Sequence, residues 1–161
     1  MVIPTRVFIH GLESTSRGTK GTFFRKRYPA MIIEDFVGPI HQRMEKLNHL
    51  LENQNDLILV GSSYGGLMAA IYSCSNERSV KKLILLAPAL NLPEFIPYLN
   101  VRTDVPTIIF HGRRDDLVPP QEIKNIARAI FANLSYHLLD DDHVLRKSFT
   151  DLNWDELLRL P

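Results

Sequence analysis

Three residues of this sequence could act together in nucleophilic chemistry. Ser63 lies in the segment GSSYGG, with a glycine two positions to either side. His143 follows three consecutive aspartates near the end of the chain, and Asp115 ends the segment HGRRD. A serine hydroxyl attacks a carbonyl only when a base removes its proton, and a carboxylate keeps that base oriented. The residue types therefore predict acyl transfer with Ser63 as nucleophile, His143 as base and Asp115 as acid.

Each of these residues has a competitor in the sequence. A motif centred on Ser62 would lack both flanking glycines, which favours Ser63. Asp116 directly follows Asp115 and remains an alternative acid. The other histidines fit the base less well. His137 falls within a predicted strand, and His41 and His49 fall on a predicted helix. His10 and His111 each stand directly before a glycine in a predicted turn.

Short apolar runs alternate along the chain with segments of helical period, such as 38–53. Unbroken apolar runs are typical of parallel strands covered on both faces, and their alternation with helices indicates βαβ units. The sequence predicts one α/β domain over residues 1–161: a doubly wound, mostly parallel six-stranded sheet with helices on both faces. The six predicted strands are residues 6–10, 31–35, 56–61, 82–87, 107–112 and 135–140.

The candidate residues all follow predicted strands. In open parallel sheets, ligands bind at the carboxyl ends of the strands. Ser63 also precedes a predicted helix, whose N-terminus directs partial positive charge towards an anion formed there. Glycines flank a serine on such a tight turn because a side chain would collide with the neighbouring strand and helix. The three candidates are therefore expected at one edge of the sheet.

The order of these motifs resembles the α/β-hydrolase superfamily. Three of the matching segments are HGL at 10–12, GSSYG at 61–65 and DH at 142–143. The fourth is HGRRDDLVP at 111–119, in which Asp115 stands four residues after His111. The resemblance implies a minimal form of that fold, lacking its first two strands and its cap, and it favours Asp115 over Asp116. It also implies an oxyanion hole made by the backbone N–H groups of Leu12 and Tyr64.

The resemblance implies a serine hydrolase that cleaves small carboxylic esters or thioesters through an acyl-enzyme, without a cofactor or metal. The turn after the first strand is HGLES and differs from the HGGG of many lipases, which disfavours a lipase-like acyl pocket. A ligand receptor or protein-interaction module on the same fold, with little turnover, is the alternative. The apolar segment 90–99 could form a flap beside Ser63 or pack down on the sheet.

Composition narrows the classes of partner. With 19 basic and 18 acidic residues, the net charge of +1 gives no reason to expect nucleic acid. The single cysteine, Cys74, excludes an internal disulfide and suits a reducing compartment. Neither a secretion leader nor a membrane-spanning run is evident. A cytoplasmic protein with a small-molecule acyl substrate is expected, while the sequence does not indicate an oligomeric state.

Overall fold

A single parallel sheet organises the computed structural model, which describes residues 1–161. Its six strands lie in the order β2-β1-β3-β4-β5-β6, and every neighbouring pair is parallel. This confirms the predicted architecture, and the sheet is parallel throughout. The strands are β1 (Thr5–Ile9), β2 (Ile32–Ile33), β3 (Leu57–Ser62), β4 (Val80–Leu86), β5 (Thr107–Gly112) and β6 (Leu134–Leu139).

Helices cover both faces of the sheet. The larger apolar cluster contains buried residues of α2, α3 and α4, and the smaller cluster contains buried residues of α1 and α5. The strands supply both clusters in alternation, since Val7 and Ile9 belong to the larger cluster and Phe8 to the smaller one. The helices are α1 (Thr19–Arg27), α2 (Ile40–Leu51), α3 (Tyr64–Ser75), α4 (Pro120–Ile130) and α5 (Trp154–Leu157).

The two edge strands differ from the prediction. The strand expected at 31–35 has only two residues, because the chain leaves the sheet after Ile33 and the Phe36 N–H donates to the His10 ring (2.9 Å). The expectation that the run at 135–140 is covered on both faces is wrong. β6 pairs only with β5, and all six of its residues are partly or fully exposed.

The segment between β4 and β5 packs down on the molecule. It contains a short 3-10 helix, Pro93–Tyr98, in which Phe95 is completely buried in the larger cluster. Leu90 is buried as well, whereas Ile96 and Leu99 remain exposed. The segment therefore forms no separate cap, and its exposed apolar side chains lie on the surface.

Candidate active site

Ser63 occupies a strained turn between β3 and α3. Its backbone torsions are φ 54° and ψ −112°, a region that residues with a side chain rarely adopt. The Ser63 N–H donates to the Leu86 carbonyl (2.9 Å), and the Ser63 carbonyl accepts from the N–H groups of Leu67 and Ala89 (both 3.1 Å). Neighbouring elements therefore hold both backbone groups of Ser63 in this conformation.

The flanking glycines are required by space. A Cβ atom on Gly61 would overlap the carbonyl oxygen of Gly65, and one on Gly65 would overlap the carbonyl oxygen of Ile9. The collision predicted for flanking side chains is thus confirmed. The start of α3 is therefore in backbone contact with β1. This contact places Ser63 next to the turn that follows β1, where Gly11 lies close to the Ser63 Cβ.

The structure brings Ser63, His143 and Asp115 together. The His143 Nε2 lies 3.0 Å from the Ser63 Oγ, and the His143 Nδ1 lies 2.6 Å from the Asp115 Oδ2. An ionised carboxylate only accepts hydrogen bonds, so Nδ1 carries the proton and Nε2 is free to accept from the serine hydroxyl. This is the arrangement that a histidine needs in order to act as a base towards a serine.

Asp115 is buried and fully hydrogen-bonded. Its Oδ1 accepts from the backbone N–H groups of Leu117 (2.9 Å) and Val118 (2.8 Å), and its Oδ2 lies 3.0 Å from the His111 Nε2. Burial alone would raise the pKa of Asp115, but the hydrogen bonds from His111, His143 and Val118 outweigh it and hold the pKa far below its usual value. Asp116 is exposed and makes none of these contacts.

A second buried carboxylate shapes the loop that carries His143. The Asp141 Oδ1 accepts from the Asp142 N–H (2.8 Å), and its Oδ2 accepts from the N–H groups of Lys147 (2.9 Å) and Ser148 (2.7 Å). Burial would raise the pKa of Asp141, yet these bonds leave it below its usual value. The loop also passes so close to the end of β5 that a Cβ on Gly112 would overlap the Asp142 carbonyl oxygen.

Lys20 ties α1 to the same loop. Its Nζ donates to the Val144 carbonyl (2.6 Å) and lies 5.4 Å from the centre of the Phe149 ring. Burial lowers the pKa of Lys20, although the nearby charges of Asp142 and Asp141 oppose this effect. Lys20 therefore contacts the residue that follows His143.

The turn after β1 is fixed by His10. The His10 Nδ1 donates to the Gly11 carbonyl (2.7 Å), and its Nε2 accepts from the Phe36 N–H (2.9 Å). Burial lowers the pKa of His10. The Gly11 carbonyl and the Leu12 N–H belong to one planar peptide group and point in opposite directions. The bond from His10 therefore sets the direction of the Leu12 N–H.

The N–H groups of Leu12 and Tyr64 have no hydrogen-bond acceptor within the protein. Leu12 lies in the turn after β1, whose Gly11 lies against Ser63, and Tyr64 directly follows Ser63. A buried positive charge lies nearby, because the Arg43 guanidinium is 5.3 Å from the centre of the Tyr64 ring and pairs with no carboxylate. The Tyr64 hydroxyl donates to Glu94 (3.3 Å) in the 3-10 helix. Two free donors near the serine can together donate hydrogen bonds to a negatively charged oxygen that develops there.

Other residues with reactive or titratable side chains lie elsewhere. His41 and His49 are exposed on α2, and His137 stacks on the Phe110 ring, with 5.0 Å between ring centres. Burial raises the pKa of the Cys74 thiol to about 11, which leaves it a poor nucleophile. No group of histidine, cysteine and carboxylate side chains is arranged to hold a metal ion. No helix has the length and apolar character to cross a bilayer.

Sequence reasoning missed the supporting roles of His10, His111 and Lys20. The two histidines end the strand runs RVFIH and TIIFH, at the same edge as Ser63, and this position was the available signal. The glycine after each histidine favoured the interpretation as turn residues. Lys20 had no such signal, because its partner Val144 lies 124 residues away.

Known proteins share this fold. Residues 25–103, which include Ser63 but neither Asp115 nor His143, match the family profile described as serine aminopeptidase, S33. The mouse alpha/beta hydrolase domain-containing protein 10 superposes with a TM-score of 0.74 at 21% identity, over 89% of this chain and 83% of that one. No curated protein sequence matches the chain significantly.

Two microbial proteins are also structurally similar. Est1E from Butyrivibrio proteoclasticus, solved with ferulic acid, gives a TM-score of 0.79 at 14% identity and covers 96% of this chain and 86% of its own. The monoacylglycerol lipase of Paleococcus ferrophilus gives 0.72 at 12% identity and covers 96% and 95%.

The all-parallel sheet, the strained serine turn and these similarities show that the chain has the α/β-hydrolase fold. The matched family profile describes hydrolases, and a monoacylglycerol lipase is among the proteins that share this fold.

Proposed function

We propose that the protein is a serine hydrolase that cleaves carboxylic esters or thioesters through an acyl-enzyme. The observation that carries the proposal is the continuous hydrogen-bonded series from Asp115 through His143 to the Ser63 Oγ. It joins a nucleophile, a base and an acid whose pKa is held low, so that the acid stays ionised.

In the first half of the reaction, His143 Nε2 takes the proton of Ser63 as the Oγ attacks the acyl carbon. The N–H groups of Leu12 and Tyr64 donate to the oxyanion that forms. The tetrahedral intermediate then collapses, the bond to the leaving oxygen or sulfur breaks, and His143 returns the proton to the leaving group. In the second half, His143 activates a water molecule, which releases the acid and restores Ser63.

The surroundings of the site favour an acyl substrate with an apolar part. Leu12 and Val144, which adjoin the oxyanion turn and His143 in the chain, are exposed, as is Leu117. An exposed apolar side chain gains by contact with an acyl chain. Because the segment between β4 and β5 packs against the core, the substrate would bind in an open site with room for protruding groups.

The first experiment is labelling with a fluorophosphonate probe, with turnover of p-nitrophenyl esters of increasing chain length measured on the same sample. Ser63→Ala should abolish labelling and lower kcat by about 10⁴-fold or more. Ser62→Ala is the matched control, because Ser62 is the adjacent serine and forms no bond to His143; it should label and turn over as the native protein does.

The alternative, a receptor or interaction module with little turnover, predicts a different result. A folded native protein that neither labels nor hydrolyses any ester of the panel would contradict the hydrolase proposal and favour the receptor. Preference within the panel then addresses the substrate: faster turnover of short esters supports small acyl groups, and faster turnover of long ones contradicts that part of the proposal.

A further inference from the structure

A second histidine is bonded to the carboxylate that orients His143. The His111 Nε2 lies 3.0 Å from the Asp115 Oδ2 and 2.9 Å from the Val118 carbonyl oxygen. The side chains of His111 and Asp115 are both completely buried. The contact is therefore a permanent part of the interior, shielded from water and salt.

The groups around His111 indicate which of its ring nitrogens carries the proton. Both atoms near Nε2 only accept hydrogen bonds, so Nε2 carries a hydrogen shared between them. The Nδ1 is buried and has no partner, and a second hydrogen there would be an unsatisfied donor. The aromatic neighbour Tyr136 does not serve as that partner: its hydroxyl is bonded to the Pro120 carbonyl (2.9 Å), and no bond joins it to the His111 Nδ1. His111 is thus the neutral tautomer protonated at Nε2.

Asp115 consequently receives four N–H donors. Two backbone groups, of Leu117 and Val118, hold Oδ1, and two imidazoles, of His111 and His143, share Oδ2. Only the His143 bond is used in the proposed reaction. The His111 bond neutralises part of the carboxylate charge at the same oxygen that faces the His143 proton.

We infer that His111 is a positioning residue, which holds Asp115 Oδ2 against His143 and sets how strongly that carboxylate attracts the His143 proton. This inference rests on the proposed function for its catalytic meaning. The inference itself is that His111 and His143 influence each other because both are bonded to the Asp115 Oδ2 in the resting protein.

The test replaces His111 and follows His143 by NMR titration. In His111→Leu the carboxylate keeps its two backbone donors but loses the bond from His111, so the midpoint of the His143 titration should rise by about 1 pH unit, which corresponds to the lower end of the free energy of one bond to a charged group. His111→Gln can place an amide N–H near Oδ2 and should return the midpoint towards the native value. His137→Leu, a histidine replaced on the neighbouring strand, is the control and should leave it unchanged.

A purely structural His111 would lower the unfolding temperature of both variants without moving the midpoint, and an unmoved midpoint in His111→Leu overturns the inference. Should that variant not fold, the ¹⁵N shifts of native His111 decide: the Nε2–H tautomer supports the inference, and the Nδ1–H tautomer contradicts it. Because the readout is a titration, a protein without ester turnover would contradict the proposed function and still give a result for His111.

Discussion

Two adjacent aspartates in one turn have opposite environments. Asp115 is buried and bonded to two histidines and two backbone N–H groups, whereas Asp116 is exposed without a partner. Their residue type and position in the chain are nearly the same, so only the direction of each side chain separates their roles. The spacing from His111 favoured Asp115 but could not exclude its neighbour.

We expect Asp115→Asn and Asp116→Asn to have very different effects on ester hydrolysis. An amide at position 115 can present its NH2 group to His143 and stabilise the wrong imidazole tautomer, so kcat for ester hydrolysis should fall by about 10³–10⁴-fold. Asp116→Asn should retain activity within about twofold, because nothing in the site contacts that side chain. Steady-state kinetics on one p-nitrophenyl ester give both values, and loss in Asp116→Asn alone would assign the acid to position 116.

At the scale of elements, the central strands were predictable and the edges were not. The runs at 56–61 and 107–112 agree with β3 and β5 within one residue at either end, because a strand buried on both faces is apolar throughout. β2 and β6 each pair with only one other strand. Tertiary contacts, such as the bond from the Phe36 N–H to His10, decide where such an edge strand ends. Those contacts connect residues far apart in the chain, so local patterning did not reveal them.

The loop carrying His143 illustrates the same point. The sequence drew attention to the three aspartates before His143 but did not distinguish them. In the structure Asp141 is the buried member and accepts three backbone N–H groups of its own loop. Asp140 is exposed and pairs with Arg114 at the surface. The position of His143 therefore depends on a residue that makes no contact with the serine.

Asp141→Asn should displace this loop. The amide keeps one acceptor oxygen but turns an NH2 group towards a backbone donor, which costs about 1–3 kcal/mol of unfolding free energy. A misplaced His143 should lower kcat by about 10–100-fold with little change in KM. Asp140→Asn, the exposed neighbour, is the matched control, and urea unfolding with ester kinetics gives both quantities. Full activity in Asp141→Asn would show that other contacts suffice to hold the loop.

At the scale of the whole molecule, the buried titratable groups couple the site to folding stability. Asp115 and Asp141 have pKa values below those of an unfolded chain, so their contribution is complete above about pH 4 and is lost as the pH falls through the folded-state values. His10 affects folding stability at higher pH than the two carboxylates do. Its pKa is lowered from 6.5 in the folded protein, so the unfolded chain binds more protons below pH 6.5.

Stability should therefore begin to decline at a higher pH than Asp115 and Asp141 alone would set. The contribution of a neutral His10 is complete above pH 6.5 and is lost as the pH falls from 6.5 through the lowered pKa. His10→Gln can keep a donor and an acceptor but does not titrate, so its unfolding free energy should change less between pH 7.5 and pH 5.5 than that of the native protein.

Urea unfolding at three pH values in this interval measures the difference, with His49→Gln as the control because His49 is exposed on α2. Parallel slopes for native protein and His10→Gln would mean that His10 is not coupled to folding in this range. A steeper native slope, matched by His49→Gln, would show that the residue orienting the Leu12 N–H also limits the stability of the fold in mild acid. Loss of the neutral His10 would then disturb the proposed oxyanion turn and the sheet edge together, since the same ring bonds Gly11 and Phe36.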